Sequence, residues 1–113
     1  MDLVVKCYGL TACLPKSEAY GLTSQIQRAA VSVPANIAEG HGRDHLGDYL
    51  RHLSMANGSL MESETHLLIA NRLSYVASVD LEAVLAGTAE IGRMLSGLTR
   101  SLKKKSMNLT PDT

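Results

Sequence analysis

The sequence predicts an all-α fold, an antiparallel up-down-up-down four-helix bundle. Three observations carry that expectation. Apolar residues recur at intervals of three and four through most of the chain, no segment alternates as a strand does, and proline and glycine mark short connections. Composition agrees, since 45% of the 113 residues are hydrophobic but only 4% are aromatic, with no Trp and no Phe. An aliphatic, alanine-rich core suits closely packed helices, and a single domain of this length buries a core without metal or disulfide staples. Residues 1–105 are assigned to the bundle and 106–113 to a polar tail.

Helix one is expected over residues 2 to about 14, with Leu3, Val4, Tyr8, Leu10 and Leu14 apolar. Pro15 stops it, because proline has no amide to donate and disfavours a helical residue before it. Ser17 is the expected N-cap of helix two, with Glu18 favourably placed in its first turn. Along that helix Leu22, Ile26, Ala29, Val33 and Ile37 form one apolar seam. Gln25, Arg28, Ser32, Asn36, Glu39 and Arg43 make a polar stripe at its edge, and Val31, Ala35 and Ala38 lie beyond that stripe. Apolar or small residues almost all round predict burial on more than one side, between the chain's own bundle and a neighbouring subunit. A break at Pro34 would make Val33 the N-cap, a role it fills poorly, and the seam stays in phase through the proline. One kinked helix is therefore expected, at a local cost of ~3 kcal/mol. Gly40 and Gly42 are read as its C-terminal stop.

Asp44 is the expected N-cap of helix three, whose seam of Tyr49, Leu53, Ala56, Leu60, Ser63, Leu67 and Ala70 runs to about Ser74. Asn57-Gly58 has the composition of a hairpin turn, but its flanks keep helical period, so Gly58 is read as allowing a close helix contact. Helix four is expected from an Asp80 cap, with Leu81, Val84 or Leu85, Thr88, Ile91, Leu95, Leu98 and Leu102, to about Lys104. Ser106 to Thr113 reads as a frayed end.

Charge and cysteine content narrow the function classes. Lys plus Arg and Asp plus Glu number 11 each, so the chain is not the strongly basic protein that a phosphate backbone attracts most directly. Cys7 and Cys13 sit roughly 120° apart on a helix and read as unpaired thiols in a reducing compartment. No basic segment precedes a long apolar run at the start, and no stretch approaches the ~20 apolar residues of a membrane helix, so a cytoplasmic protein without a membrane partner is expected.

Catalytic patterns are scarce, and neither an enzyme nor a cofactor is expected. Glu62 and His66 are four apart, without the second Glu-x-x-His pair that a di-iron bundle needs. Glu62 and Glu64 point to different sides of a helix, and the glycines around His41 lack the strand and lysine of a phosphate loop. His41, His45 and His52 fall on one helical face near Asp44 and Asp48, which leaves a metal-binding or enzymatic bundle as the alternative to a solvated surface. A semi-buried polar network is the preferred role for Arg28, Asn36, Glu39 and Arg43, meeting Asn57, Ser59 or Glu62 of helix three and fixing register and subunit geometry. Arg93, Arg100, Lys103, Lys104 and Lys105 gather near the end of helix four. They complement its macrodipole or form a patch for nucleic acid or an acidic partner.

Two stretches, YGLTSQIQRAAVSVPANIAEGHGR (Tyr20 to Arg43) and ANGSLMESETHLLIANRLSY (Ala56 to Tyr75), with the shorter LVVKCY near the start, resemble the four-helix-bundle family named for 23S ribosomal RNA intervening sequences. That family is related to accessory proteins of diversity-generating retroelements. The resemblance implies a ring-shaped homo-oligomer, typically a pentamer, with no known catalytic activity. It places Arg28, Asn36, Glu39, Gly40, Arg43, Gly58, Ser59 and Glu62 at the family's characteristic positions, in structural roles. RNA, DNA or a reverse transcriptase are the partners suggested by the retroelement relatives, which tend to be strongly basic where this chain is neutral. Similar proteins also begin some residues earlier, often with a Trp. Either the start lies upstream, or apolar surface is left uncovered at one end of the bundle.

Overall fold

A computed structural model describes residues 1–109, with side chains as far as Lys105. It contains α1 (Asp2–Thr11), a 3-10 turn (Lys16–Glu18), α2 (Leu22–His41), α3 (Leu46–Arg72) and α4 (Ser78–Leu109), and no strand among the described residues. Neighbouring helices pair in opposite chain directions. Going down α2, Ser32 meets Ser59, Asn36 meets His52, and Gly40 meets Tyr49. Between α3 and α4, Glu64 meets Thr88 and Leu60 lies against Gly92. Gln27 of α2 reaches Thr11 of α1, while Leu3 lies near Val33 and Ile37. With α1 also touching α4, the circuit of a four-helix bundle closes. The molecule measures 59 × 24 × 18 Å, its length set by α4.

The seams account for the core. Ile26, Ala29 and Val33 of α2 are buried, as are Leu53, Ala56, Leu60, Ser63, Leu67 and Ala70 of α3 and Leu81, Val84, Thr88 and Leu95 of α4. In α1 the buried set is Leu3, Cys7 and Thr11, whereas Tyr8, expected to face inward, is exposed. Pro34 sits inside an unbroken α2, with the seam in phase on both sides of it. Burial of that seam offsets the lost hydrogen bond.

Helix ends depart from the expectations. Helix one stops at Thr11, and the segment from Pro15 forms a 3-10 turn containing Ser17, so Ser17 does not cap α2. Its N-cap is Gly21, and the Leu22 amide donates to the Glu18 carboxylate at 3.4 Å. That contact gives Glu18 the stabilising position its charge suggested. His45 rather than Asp44 is the N-cap of α3, and Asp80 lies in the first turn of α4, which starts at Ser78. Gly42 is the C-cap of α2, as expected, and Gly40 is its penultimate residue, with a second role in packing. A Cβ there would lie 2.7 Å from the His52 Cβ and 3.0 Å from Tyr49 Cδ1, so its role is close approach of α3. Gly58, assigned that role from sequence, has open space around it. The tail expected to fray from Ser106 continues α4 to Leu109, and residues 110–113 lie outside the described residues.

Two further features bear on function. The ten-residue α1 covers only part of the groove between α2 and α4. An apolar hollow of about 320 Å³ remains beside Leu3, Pro34, Ile37, Ile91 and Leu98. At the other end α3 closes with hydrogen bonds from the Ser74 amide to the Asn71 carbonyl and from the Tyr75 amide to the Ala70 carbonyl, both 2.9 Å, with Ser74 at a φ of 64°. This is a Schellman closure that places a serine where glycine is preferred.

Opposite effects follow at these two sites. Gly40→Ala should destabilise the chain by about 1–3 kcal/mol through the forced overlap with α3. Ser74→Gly should stabilise it by about 1 kcal/mol by relieving the left-handed residue. Urea midpoints of both variants against the parent provide the check.

Candidate functional site

The most ordered polar feature lies between α2 and α3. Ser32 and Asn36 are one turn apart on α2, and His52, Ser59 and Ser63 follow at seven and four residues on α3, flanking the apolar seams. Ser59 Oγ donates to Ser32 Oγ at 2.8 Å, and the Asn36 amide nitrogen donates to both the carbonyl and the hydroxyl of Ser32 at 2.9 Å. Ser63 Oγ donates to the Ser59 carbonyl at 2.9 Å. With its nitrogen committed to Ser32, Asn36 turns Oδ1 toward His52 Nδ1, 3.2 Å away. An acceptor there requires the proton on Nδ1. His52 is 6% exposed, and its Nε2 is buried with no partner among the described residues. The histidine thus joins the clasp through one nitrogen and leaves the other unpaired among the described residues.

The structure divides the residues that sequence periodicity grouped into a network. Asn36 and Ser59 join it, together with Ser32 and His52. Arg28, Glu39, Arg43, Asn57 and Glu62 are exposed. Arg43 pairs with Glu39 one turn earlier, and Glu62 lies 3.4 Å from His66 on its own helix. Long side chains on a helix edge reach water, which is why the stripe's outer members leave the interhelical space. His52 was grouped with the surface histidines. Its spacing to Ser59 and Ser63, beside the seam, is the signal that places it inside.

The three-histidine alternative is not assembled. His52 turns into the α2–α3 interior, His45 is exposed, and His41 is exposed with its ring edge against Tyr49, centroids 5.9 Å apart. Among the described residues no three His, Cys, Asp or Glu side chains are grouped to hold a metal ion. Both cysteines are free. Cys13 is exposed, while burial pushes the Cys7 thiol up to about 11 and leaves it unreactive at neutral pH. The Tyr75 phenol is also raised, by partial burial and then by Glu18, to whose carboxylate it donates at 3.3 Å.

Balanced charge conceals an uneven distribution. From Arg93 to Lys105 there are five cations and no acid, and the antiparallel pairing sets this half of α4 beside the first turns of α3, where Arg51 also lies. The opposite half of the bundle carries Glu18, Glu62, Glu64, Asp80 and Glu82 against Lys16, Arg28 and Arg72, while Glu39, Asp44 and Asp48 lie at the same end as the cations. Arg93 and Lys104 share an outward face of α4 by the helical repeat, and all five cations are exposed.

These features define a small helical bundle with an interior polar clasp and with its distinctive chemistry on its surfaces. The chain belongs to the 23S rRNA-intervening sequence protein family, whose model matches residues 1–97. Its fold is that of a crystal structure from Bacteroides thetaiotaomicron, described as a protein of unknown function from the S23 ribosomal protein family. The match has a TM-score of 0.80 and 23% identity over 87% of this chain and 92% of that one. No curated protein matches the chain. No helix among the described residues is long and apolar enough to cross a membrane.

Two outcomes follow from the clasp and the buried thiol. Asn36→Ala should cost about 1–3 kcal/mol by leaving Ser32 and His52 Nδ1 without their partner, whereas Glu39→Ala, at an exposed ion pair, should cost less than about 1 kcal/mol by chemical denaturation. The raised Cys7 pKa contributes stability that is fully present below the ordinary value of 9.0 and is lost as pH rises toward 11. Denaturation midpoints should therefore fall across that interval in the parent and fall less in Cys7→Ala.

Proposed function

We propose that this protein is a non-enzymatic scaffold or adaptor that works as a homo-oligomer. The observation that carries this reading is the outer face shared by α2 and α3. Val31, Ala35 and Ala38 on α2, and Met55, Gly58 and Glu62 on α3, recur at helical spacing and all lie exposed. Val31 and Met55 are 41% and 45% exposed, and Gly58 leaves open space where another helix can approach. Arg28, Glu39 and Glu62 border this surface, so the residues that left the intrachain network stand where a neighbouring copy can use them. A small, apolar centre with a charged border suits an interface between copies. Closure into a ring, with five subunits as the resemblance implies, repeats the face once per subunit.

The scaffold's partner in this proposal is RNA, DNA or an enzyme acting on nucleic acid, such as a reverse transcriptase. Support comes from the five cations at one end of α4 and from the ribosomal RNA reference in the family's description. In a ring these clusters multiply, so weak individual contacts act together despite the chain's zero net charge. The reading also includes kinship with retroelement accessory proteins and a location in the cytoplasm.

Light scattering tests the assembly directly. The parent should give a mass several times 12.1 kDa, five times for a pentamer. Val31→Glu combined with Met55→Glu should reduce it to one chain with helical circular dichroism unchanged. A parent mass of a single chain overturns the proposal.

A further inference from the structure

A groove of about 620 Å³ runs between the first half of α3 and the second half of α4. Its floor is apolar, formed by Leu50, Leu53 and Leu95. Its walls carry Arg51 and Asn57 from α3 and Arg100 and Lys103 from α4. The hydroxyls of Ser54, Ser96 and Thr99 lie between them. No carboxylate lines it. Asp48 lies beside it, 3.9 Å from Arg51 Nε in an exposed pair that solvent screens. From Gly47 to Asn57 the groove is about 15 Å long by helical rise.

We infer that this groove binds the phosphodiester backbone of a single nucleic-acid strand. Three cations on both walls, interleaved with hydroxyl and amide groups, match the charge and hydrogen-bonding needs of successive phosphate oxygens. An apolar floor beneath them lowers the local dielectric and accommodates sugar carbons. Length favours a strand over a single phosphate, since Arg51, Arg100 and Lys103 face one another within about a turn and the polar groups of Thr99, Ser54, Ser96 and Asn57 continue from them toward the other end of the groove. No aromatic side chain lines the groove, so there is no platform on which bases stack, and binding is independent of sequence. The site rests on the nucleic-acid reading above and sharpens it. The C-terminal cations become two groups, with Arg100 and Lys103 lining the groove and Arg93, Lys104 and Lys105 outside it.

Fluorescence anisotropy with labelled oligothymidine and oligoadenine of equal length tests the inference on the full chain. Three neutralised phosphates give a log–log salt slope of about −2, or roughly 16-fold weaker binding between about 50 and about 200 mM salt. Both oligonucleotides should bind alike. Arg51→Gln, Arg100→Gln and Lys103→Gln should each reduce the slope by about 0.7, while Arg93→Gln and Lys104→Gln leave it unchanged. All five positions are exposed, and circular dichroism checks that each variant stays folded. Equal losses from Lys104→Gln and none from Arg51→Gln would overturn the groove in favour of a diffuse basic end. Competition by inorganic polyphosphate as effective as by an oligonucleotide of matched charge would overturn the assignment to nucleic acid. Absence of binding by the parent even at low salt would remove the nucleic-acid limb of the proposed function itself, leaving the light-scattering result to judge the scaffold.

Discussion

The approach of α3 to Gly40 governs this structure. A side chain at that position would occupy space already held by the β-carbon of His52, so the two central helices meet at this level only because glycine has none. One turn earlier, the same proximity brings His52 within reach of Asn36, and two turns earlier it brings Ser59 to Ser32. Steric closeness and hydrogen bonding therefore specify the same register. A slide by one turn would set Gly40 against another residue and break the two bonds between the helices, His52 to Asn36 and Ser59 to Ser32. Such a network contributes more to uniqueness than to net stability, because each group has already surrendered its water. With α2 and α3 fixed, α1 and α4 have one apolar surface on which to settle.

Asn36 and His52 also illustrate what lies beyond simple amphipathicity. Their polar side chains occupy positions flanking the core stripes, where hydrophobic periodicity assigns them to the boundary and leaves their depth open. The clasp draws them inward because each satisfies the other. Arg28 and Glu62 sit at comparable angular positions, but their longer chains carry charge that is better solvated outside.

Much of the fold was legible for a plain reason. In α3 the seven seam residues from Tyr49 to Ala70 are all buried or half-buried, since heptad spacing over that length has one efficient packing solution. Pro34 was legible as helical because the seam on both sides outweighs a local penalty of ~3 kcal/mol. Helix ends were not. Ser17, Asp44 and Asp80 are favourable capping residues, yet α2 and α3 begin at Gly21 and His45 without a side-chain cap. A cap is worth about 1 kcal/mol, less than the packing that decides where each helix emerges from its turn. Gly40 holds the close contact expected of Gly58 for a related reason. Both fit a close contact by composition, and only the azimuth of α3 determines which one faces a neighbour. Of the candidate site, the C-terminal cations were visible as a run, whereas their alignment with Arg51, some fifty residues earlier, depends on antiparallel pairing of α3 and α4.

The uneven placement of charge along a 59 Å body gives this electrically neutral chain a dipole moment. With a calculated pI near 6.9, nothing in its monopole keeps copies apart at neutral pH, and the leading long-range force between two of them is orientational. Basic ends turn toward acidic ends before any apolar surface touches. The Debye length is about 8 Å at physiological ionic strength, so this alignment acts only over the final approach and fades as salt rises. Solubility near neutrality should accordingly respond to salt in the sense of salting in, a colloidal property set by where eleven acids and eleven bases lie, with their number held constant.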